Sequence, residues 1–289
     1  MERRELDGDQ QTLAGQVGST VLFLFLAHLG VGIAFTLVFV SRDAGVKFFR
    51  FNAGLAVILI AIALAFRYEA LAGSIEHEPS RRSQIADLAL VCGEAALVLY
   101  WATVGRALLK IRRAIVAVAV AGGLVAVVLQ ALGVSADRSP AEQALTVASF
   151  LTSAAMLGGA CTAMILGHWY LVIPSLQVSH LQSIVRLHIA SMAARIVIVT
   201  VAVWFAIATW QPDAGPSFRH YITSVDGIFF WQRVLFGLGG PAVLSYLTWE
   251  TAKIRSTQSA TGILYVDFFT VVVGEVLAKY IVLATRVPV

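Results

Sequence analysis

Residues 261–285 read TGILYVDFFTVVVGEVLAKYIVLAT, a run of twenty-five in which apolar side chains predominate. A helix rises ~1.5 Å per residue, so ~20 apolar residues cross the hydrocarbon core of a bilayer. The run is long enough. It reads as helix rather than barrel strand, because its apolar residues follow one another without period-two alternation. Yet Asp267, Val271, Glu275 and Lys279 recur every four residues and so share one slowly drifting face. A charge in hydrocarbon costs ~3 kcal/mol on insertion scales unless it meets a partner or a water-filled cavity. This segment therefore sets both the solvent of the fold and the face on which to look for chemistry.

The same reading extends over the chain. Apolar spans fall at roughly 17–41, 48–66, 85–105, 114–134, 144–170, 184–209, 226–249 and 261–285, and they consume most of the 289 residues. The fold class is an all-α membrane protein of about eight transmembrane helices, a number that can divide into two four-helix bundles. Composition agrees: 58% of residues are hydrophobic and 13% charged, with a mean hydropathy of +0.82, against roughly 25% charge in soluble domains. One polytopic membrane domain over 1–289 leaves no length for a separate soluble one.

Loop charge orients the helices. Odd-numbered loops hold Arg42, Lys47 and Arg50, then Arg106, Lys110, Arg112 and Arg113, then Arg186, then Lys253 and Arg255. The opposite side is mixed, with Glu76, Glu78, Arg81 and Arg82, then Asp137, Arg138 and Glu142, then Asp213 and Arg219. Lys and Arg mark cytoplasmic ends, so both termini are expected on the periplasmic side of a bacterial-type inner membrane. The net charge of +4 is modest, and no basic stripe interleaves with exposed aromatics, which disfavours nucleic-acid binding. The charged N-terminus, with Glu2, Arg3, Arg4, Glu5, Asp7 and Asp9, does not read as a cleavable signal. Trp101, Trp169 and Trp249 end three spans, as interfacial rings should.

Charged and polar residues near mid-membrane are the candidates for chemistry. Glu275, Glu94 and Arg195 fall near the middle of their spans, as does His28, and Lys279 lies farther out. Glu94, Glu275, Arg195 and Lys279 sum to zero, as a buried cluster requires. Arginine can grip one carboxylate in bidentate fashion. Glu275 and Lys279 are also placed to pair along their own helix. Whether such a cluster only locks the bundle or handles protons stays open. Arg233, near the outer end of span seven, reads as a side chain that snorkels to the surface. His168 and His188 match in depth near the cytoplasmic face; two facing imidazoles there can hold a b-type haem or touch a quinone headgroup, but two interfacial histidines are the simpler reading.

Other signals are weaker. Glu76, His77 and Glu78 form a single loop cluster with metal-ligand chemistry, too little to assign a metal. Cys92 and Cys161 fall inside spans and belong to no CxxC pattern. There is no Gly-rich phosphate loop, no HExxH and no GxSxG. A short echo relates Phe49-Arg50-Phe51-Asn52-Ala53 to Val185-Arg186-Leu187-His188-Ile189-Ala190, each opening the second span of one half, and chance suffices to explain it. Gly237-Leu238-Gly239-Gly240-Pro241 predicts close packing and a kink in span seven.

Val234-Leu235-Phe236-Gly237 through Pro241, then Gly262-Ile263-Leu264-Tyr265 and Gly274-Glu275-Val276-Leu277-Ala278-Lys279-Tyr280, resemble the last two helices of quinone-linked membrane anchors. These are the anchor subunits of DMSO-reductase-type and polysulfide-reductase-type complexes. The motif resemblance covers the last third of the chain, and topology covers the rest. It implies two four-helix bundles, periplasmic termini in the DMSO-reductase branch, and quinol handling without haem; no quinone-site residue is carried over. The expectation is a membrane subunit of a respiratory complex, with quinone as substrate and Glu275, Glu94, Arg195 and His28 handling protons beside other subunits. A secondary transporter or exporter is the alternative, followed by a haem-b cytochrome using His168 and His188, and by a non-catalytic scaffold.

Overall fold

The computed structural model describes residues 2–72, 80–106, 111–173, 178–210, 217–254 and 256–289. Eight helical segments among them are long and apolar enough to cross a bilayer. The first six crossings are α1 (Glu2–Thr36), α2 (Gly45–Ala72), α3 (Arg81–Thr103), α4 (Arg112–Val134), α5 (Pro140–Val172) and α6 (Val178–Ala208). After the short α7 (Phe218–Thr223), the seventh crossing is composite: α8 (Ile228–Val234), a π-helical turn over Leu235–Gly239, and α9 (Gly240–Lys253). The last is α10 (Thr257–Thr285). No strand occurs among the described residues.

Most helices begin a few residues before their apolar spans, and at α3 and α5 a serine side chain caps that polar first turn. α5 begins at Pro140, four residues before its apolar span, where Ser139 and Glu142 form a reciprocal capping box. α1 does the reverse and stops at Thr36, so the apolar Leu37–Val40 stretch turns back toward the short 3₁₀ segment Arg42–Ala44. There Gly45 adopts φ 82°, a left-handed backbone that favours glycine.

Two four-helix bundles result. α1, α2, α3 and α4 pack around one another, as do α5, α6, the composite seventh crossing and α10. They meet mainly through α1 and α5, with α1 also touching α10 and α4 touching α5. Lipid tails are as apolar as leucine, so helices associate by close packing. At the central seam a Cβ on Gly158 would overlap the Gly32 backbone, and one on Gly32 would overlap Ala154. The Gly158-Gly159 pair is thus a packing contact, Gly159 lying against His188. The seam is also pinned by a 2.6 Å hydroxyl contact between Thr36 and Thr162.

The echo between the two halves has a physical counterpart. Arg50 lies 5.2 Å from the Trp101 ring and Arg186 lies 5.8 Å from the Trp249 ring, each arginine opening the second crossing of its bundle and each tryptophan near the end of the third. Two residues on, Asn52 and His188 are both fully buried. Corresponding segments therefore occupy corresponding places. Lys110, Arg255, Glu76, His77, Glu78 and Asp213 lie outside the described residues.

Gly158→Leu should lower the thermal midpoint in detergent markedly, since overpacking costs ~1–3 kcal/mol or more. Gly133, whose added Cβ meets nothing within 4 Å, is the contrast: Gly133→Ala should be neutral or stabilising by up to ~1 kcal/mol. Equal melting shifts for the two would remove the packing account of the seam.

Candidate functional site

The polar face of α10 carries two layers of buried side chains. Asp267 and Glu275 are eight residues apart, about 12 Å along the helix, and Val271 between them is fully buried. The layer on the odd-loop side joins α10 to α6, and the other joins α10 to α5, α6 and the seventh crossing.

Glu275 is the centre of the second layer. Arg195 of α6 donates through Nε to Oε1 at 3.0 Å and through Nη2 to Oε2 at 3.3 Å. Arg233 of α8 donates through Nη2 to Oε1 at 2.7 Å, and Ser153 of α5 donates to Oε2. A carboxylate offers about four lone-pair sites, and these four donors fill them. Lys279 stands 3.9 Å from Oε2 and bonds instead to the Ser153 hydroxyl at 2.8 Å. The arginines are themselves anchored. Arg195 donates through Nη1 to the Ser149 carbonyl and hydroxyl and through Nη2 to the Val289 main-chain oxygen.

Arg233 departs from its sequence reading. It does not snorkel: it is fully buried, and its Nη1 donates to the Gly237 carbonyl at 2.8 Å. A π turn shifts the helical ladder and frees main-chain carbonyls, and Arg233 supplies a donor to one of them. Gly237 and Gly274 lie too close for a Cβ on either, which lets Arg233 reach across to Glu275. The kink expected near Pro241 is this π turn, and it positions a charge. Glu94, by contrast, does not join the cluster. It sits half-buried on α3 in the other bundle, with no ion pair among the described residues. Depth along a helix was readable from sequence, but azimuth was not.

The remaining candidates separate. His28 is fully buried with its ring 4.9 Å from Phe150, and Lys279 Nζ lies 4.6 Å from the same ring, so His28 borders the Glu275 layer. His188 is fully buried, with Nε2 2.8 Å from Oδ2 of Asp267. Neither group of that pair has a well-aligned hydrogen bond among the described residues. His168 does not share this environment: it is exposed and its Nδ1 contacts the Tyr265 hydroxyl at 3.1 Å. The structure therefore does not set His168 and His188 face to face. His180 lies at the start of α6 with Nε2 3.2 Å from Asp43. Among the described residues no group of three His, Cys, Asp or Glu side chains is placed to hold a metal, and the Glu76, His77 and Glu78 cluster lies outside them.

A lateral groove of 290 Å³ lies between the bundles, and none of His188, Asp267, Arg195 and Glu275 lines it. Ser191, whose hydroxyl donates to the His188 carbonyl, and Ala194, next to Arg195, are on its wall. Val31, Phe35, Leu124 and Leu151 make the rest largely apolar. No family model matches the chain, and the curated proteins contain no similar sequence.

Removing one partner of a buried pair costs ~3–5 kcal/mol because the other charge stays buried. Glu275→Gln should therefore lower the melting temperature sharply. Lys279→Gln should cost much less, and adding it to Glu275→Gln should restore little, because Arg195 and Arg233 remain. Near-complete recovery in the double variant would instead make Lys279 the principal partner.

Proposed function

We propose that this chain is the membrane subunit of a redox complex that exchanges electrons with the quinone pool, with the His188–Asp267 pair as the proton-handling contact. The observation that carries the reading is a fully buried imidazole–carboxylate pair, 2.8 Å apart, with hydrogen-bonding capacity left over. Buried polar groups are nearly always satisfied, and an exception points to a strained, catalytic or ligand-facing role. Histidine is suited to proton transfer, and a carboxylate at one ring nitrogen holds the imidazole for it. Glu275 has no acceptor site to spare, so its part is to hold Arg195 and Arg233 and keep the second bundle shut. The apolar groove past Ser191 offers the route for a quinone ring and its tail. Oxidation of a quinol there releases protons to His188 and Asp267, and electrons pass to a redox centre on a partner subunit. The resemblance of the last two helices to quinone-linked anchors supports the same reading.

The orientation belongs to this proposal. The odd loops, with Arg42, Arg106, Arg112 and Arg113, face the cytoplasm of an inner membrane and both termini face the periplasm. A single cysteine at Arg106 should react in intact cells only with a membrane-permeant maleimide. Labelling there by an impermeant one would reverse the topology.

A secondary transporter is the second reading. Three cationic side chains, Arg195, Arg233 and Lys279, surround one carboxylate, and that excess favours an anionic substrate.

Purified chain should be labelled by a photoreactive azidoquinone, in competition with unlabelled quinone. His188→Gln and Asp267→Asn should each weaken that labelling about tenfold, ~1.4 kcal/mol in binding, when each is assayed well below its own melting midpoint, which loss of a buried partner also lowers. Unsaturable labelling, or full labelling in both variants, would sink the quinone role. Uptake of an anion by proteoliposomes, lost in Lys279→Gln, would favour the transporter.

A further inference from the structure

On the odd-loop side of the first bundle a groove of 730 Å³ opens between the end of α1, the start of α2, the end of α3 and the start of α4. Arg42, Arg112 and Arg113 stand at its mouth. None of the three forms an ion pair among the described residues. Arg112 Nε and Nη2 are buried and have no hydrogen-bond partner there. The carboxylates near this face are otherwise engaged: Asp43 lies against His180 and Glu250 against Lys253.

Below the arginines the groove turns apolar. Val38, Phe49, Val104, Val116 and Val120 form its walls, and Leu124 closes its deep end. Eleven residues of α4 separate Arg113 from Leu124, about 17 Å at the helical rise, close to the ~15 Å depth of one leaflet's hydrocarbon. Ala117 and Ala121 line it from the exposed side of α4, where small side chains leave it open to the bilayer. A head region of three guanidinium groups without ion pairs among the described residues, above an acyl-length apolar slot, has the polarity of a lipid in place.

We infer that this groove binds an anionic phospholipid of the leaflet facing the odd loops, its phosphate on Arg42, Arg112 and Arg113 and one acyl chain along α4. Guanidinium forks bond phosphate oxygens bidentately and tightly. Basic pockets between membrane helices are suited to phosphate headgroups. The site is separate from the α10 layers and does not depend on the quinone reading.

The test is native mass spectrometry of the delipidated chain in dodecylmaltoside, titrated with dioleoylphosphatidylglycerol, with dioleoylphosphatidylcholine or with inorganic phosphate. Wild-type protein should retain one phosphatidylglycerol in preference to phosphatidylcholine, and phosphate should not displace it. R42Q/R112Q/R113Q should weaken retention about tenfold or more. Arg81 and Arg82, exposed at the opposite end, supply the control, and R81Q/R82Q should bind as wild type does. Ala117→Trp plugs the slot from its exposed side while leaving the arginines intact, and it should also lose the lipid even if the triple variant fails to fold. Equal retention of phosphatidylcholine, displacement by phosphate, wild-type affinity in the triple variant, or an unaffected Ala117→Trp would each overturn the assignment.

Discussion

The second bundle depends on one carboxylate. Four helical segments converge on Glu275: α5 donates through Ser153 and accepts from Arg195 at Ser149, α6 donates through Arg195, α8 through Arg233, and α10 through Lys279 to Ser153. In hydrocarbon, lateral packing alone discriminates weakly between helix registers. Three buried cations that need one anion fix register and rotation together, since a slip of one turn strands a charge. The π turn is part of the same arrangement. Without the displaced Gly237 carbonyl and the Gly237–Gly274 approach, Arg233 would have neither its second acceptor nor its reach.

Eight crossings were legible because each depends only on local composition and length, and the depth of each charge followed from counting residues. The i, i+4 face of α10 likewise emerged from spacing alone, and Arg195 does hold Glu275 in the bidentate grip that arginine chemistry allows. What sequence withheld was azimuth. Glu94 and Arg233 were each assigned by depth, yet one points away from the cluster and the other into it. A signal for Arg233 did exist. It lies one turn before a glycine run, and glycines that admit a second backbone also admit a long side chain crossing beside it. Asp267 and His188 both lie toward the odd-loop ends of their helices, but nothing in one helix announces its partner in another.

The two halves of the chain share a plan and differ in charge. Arg50 on Trp101 and Arg186 on Trp249 are the same interfacial device, a cation over an aromatic face, built twice. Behind them, the first bundle buries Asn52, Gln130 and the single imidazole of His28, where the second buries His188, Arg195, Arg233, Asp267, Glu275 and Lys279. Neutral amides suffice to hold helices. Ionised groups carry a desolvation cost that packing alone does not call for.

That asymmetry is one of charge. Glycine contacts already close the first bundle, with Gly93 against α4 and Gly30 against α2, so a membrane protein of this size holds four helices together without buried ions. The Glu275 carboxylate is saturated, although Arg233 Nε beside it has no hydrogen-bond partner among the described residues. The His188–Asp267 layer is not saturated: its carboxylate and imidazole have each other and unfilled capacity, in the half of α10 nearer the odd loops. A pair that served only to lock helices would have been stronger with a serine or backbone donor added, as Ser153 is added to Glu275. The two carboxylates of α10 therefore differ in their surroundings: four donors close Glu275, whereas Asp267 faces a single imidazole, and the proposed proton-handling role rests on that contrast.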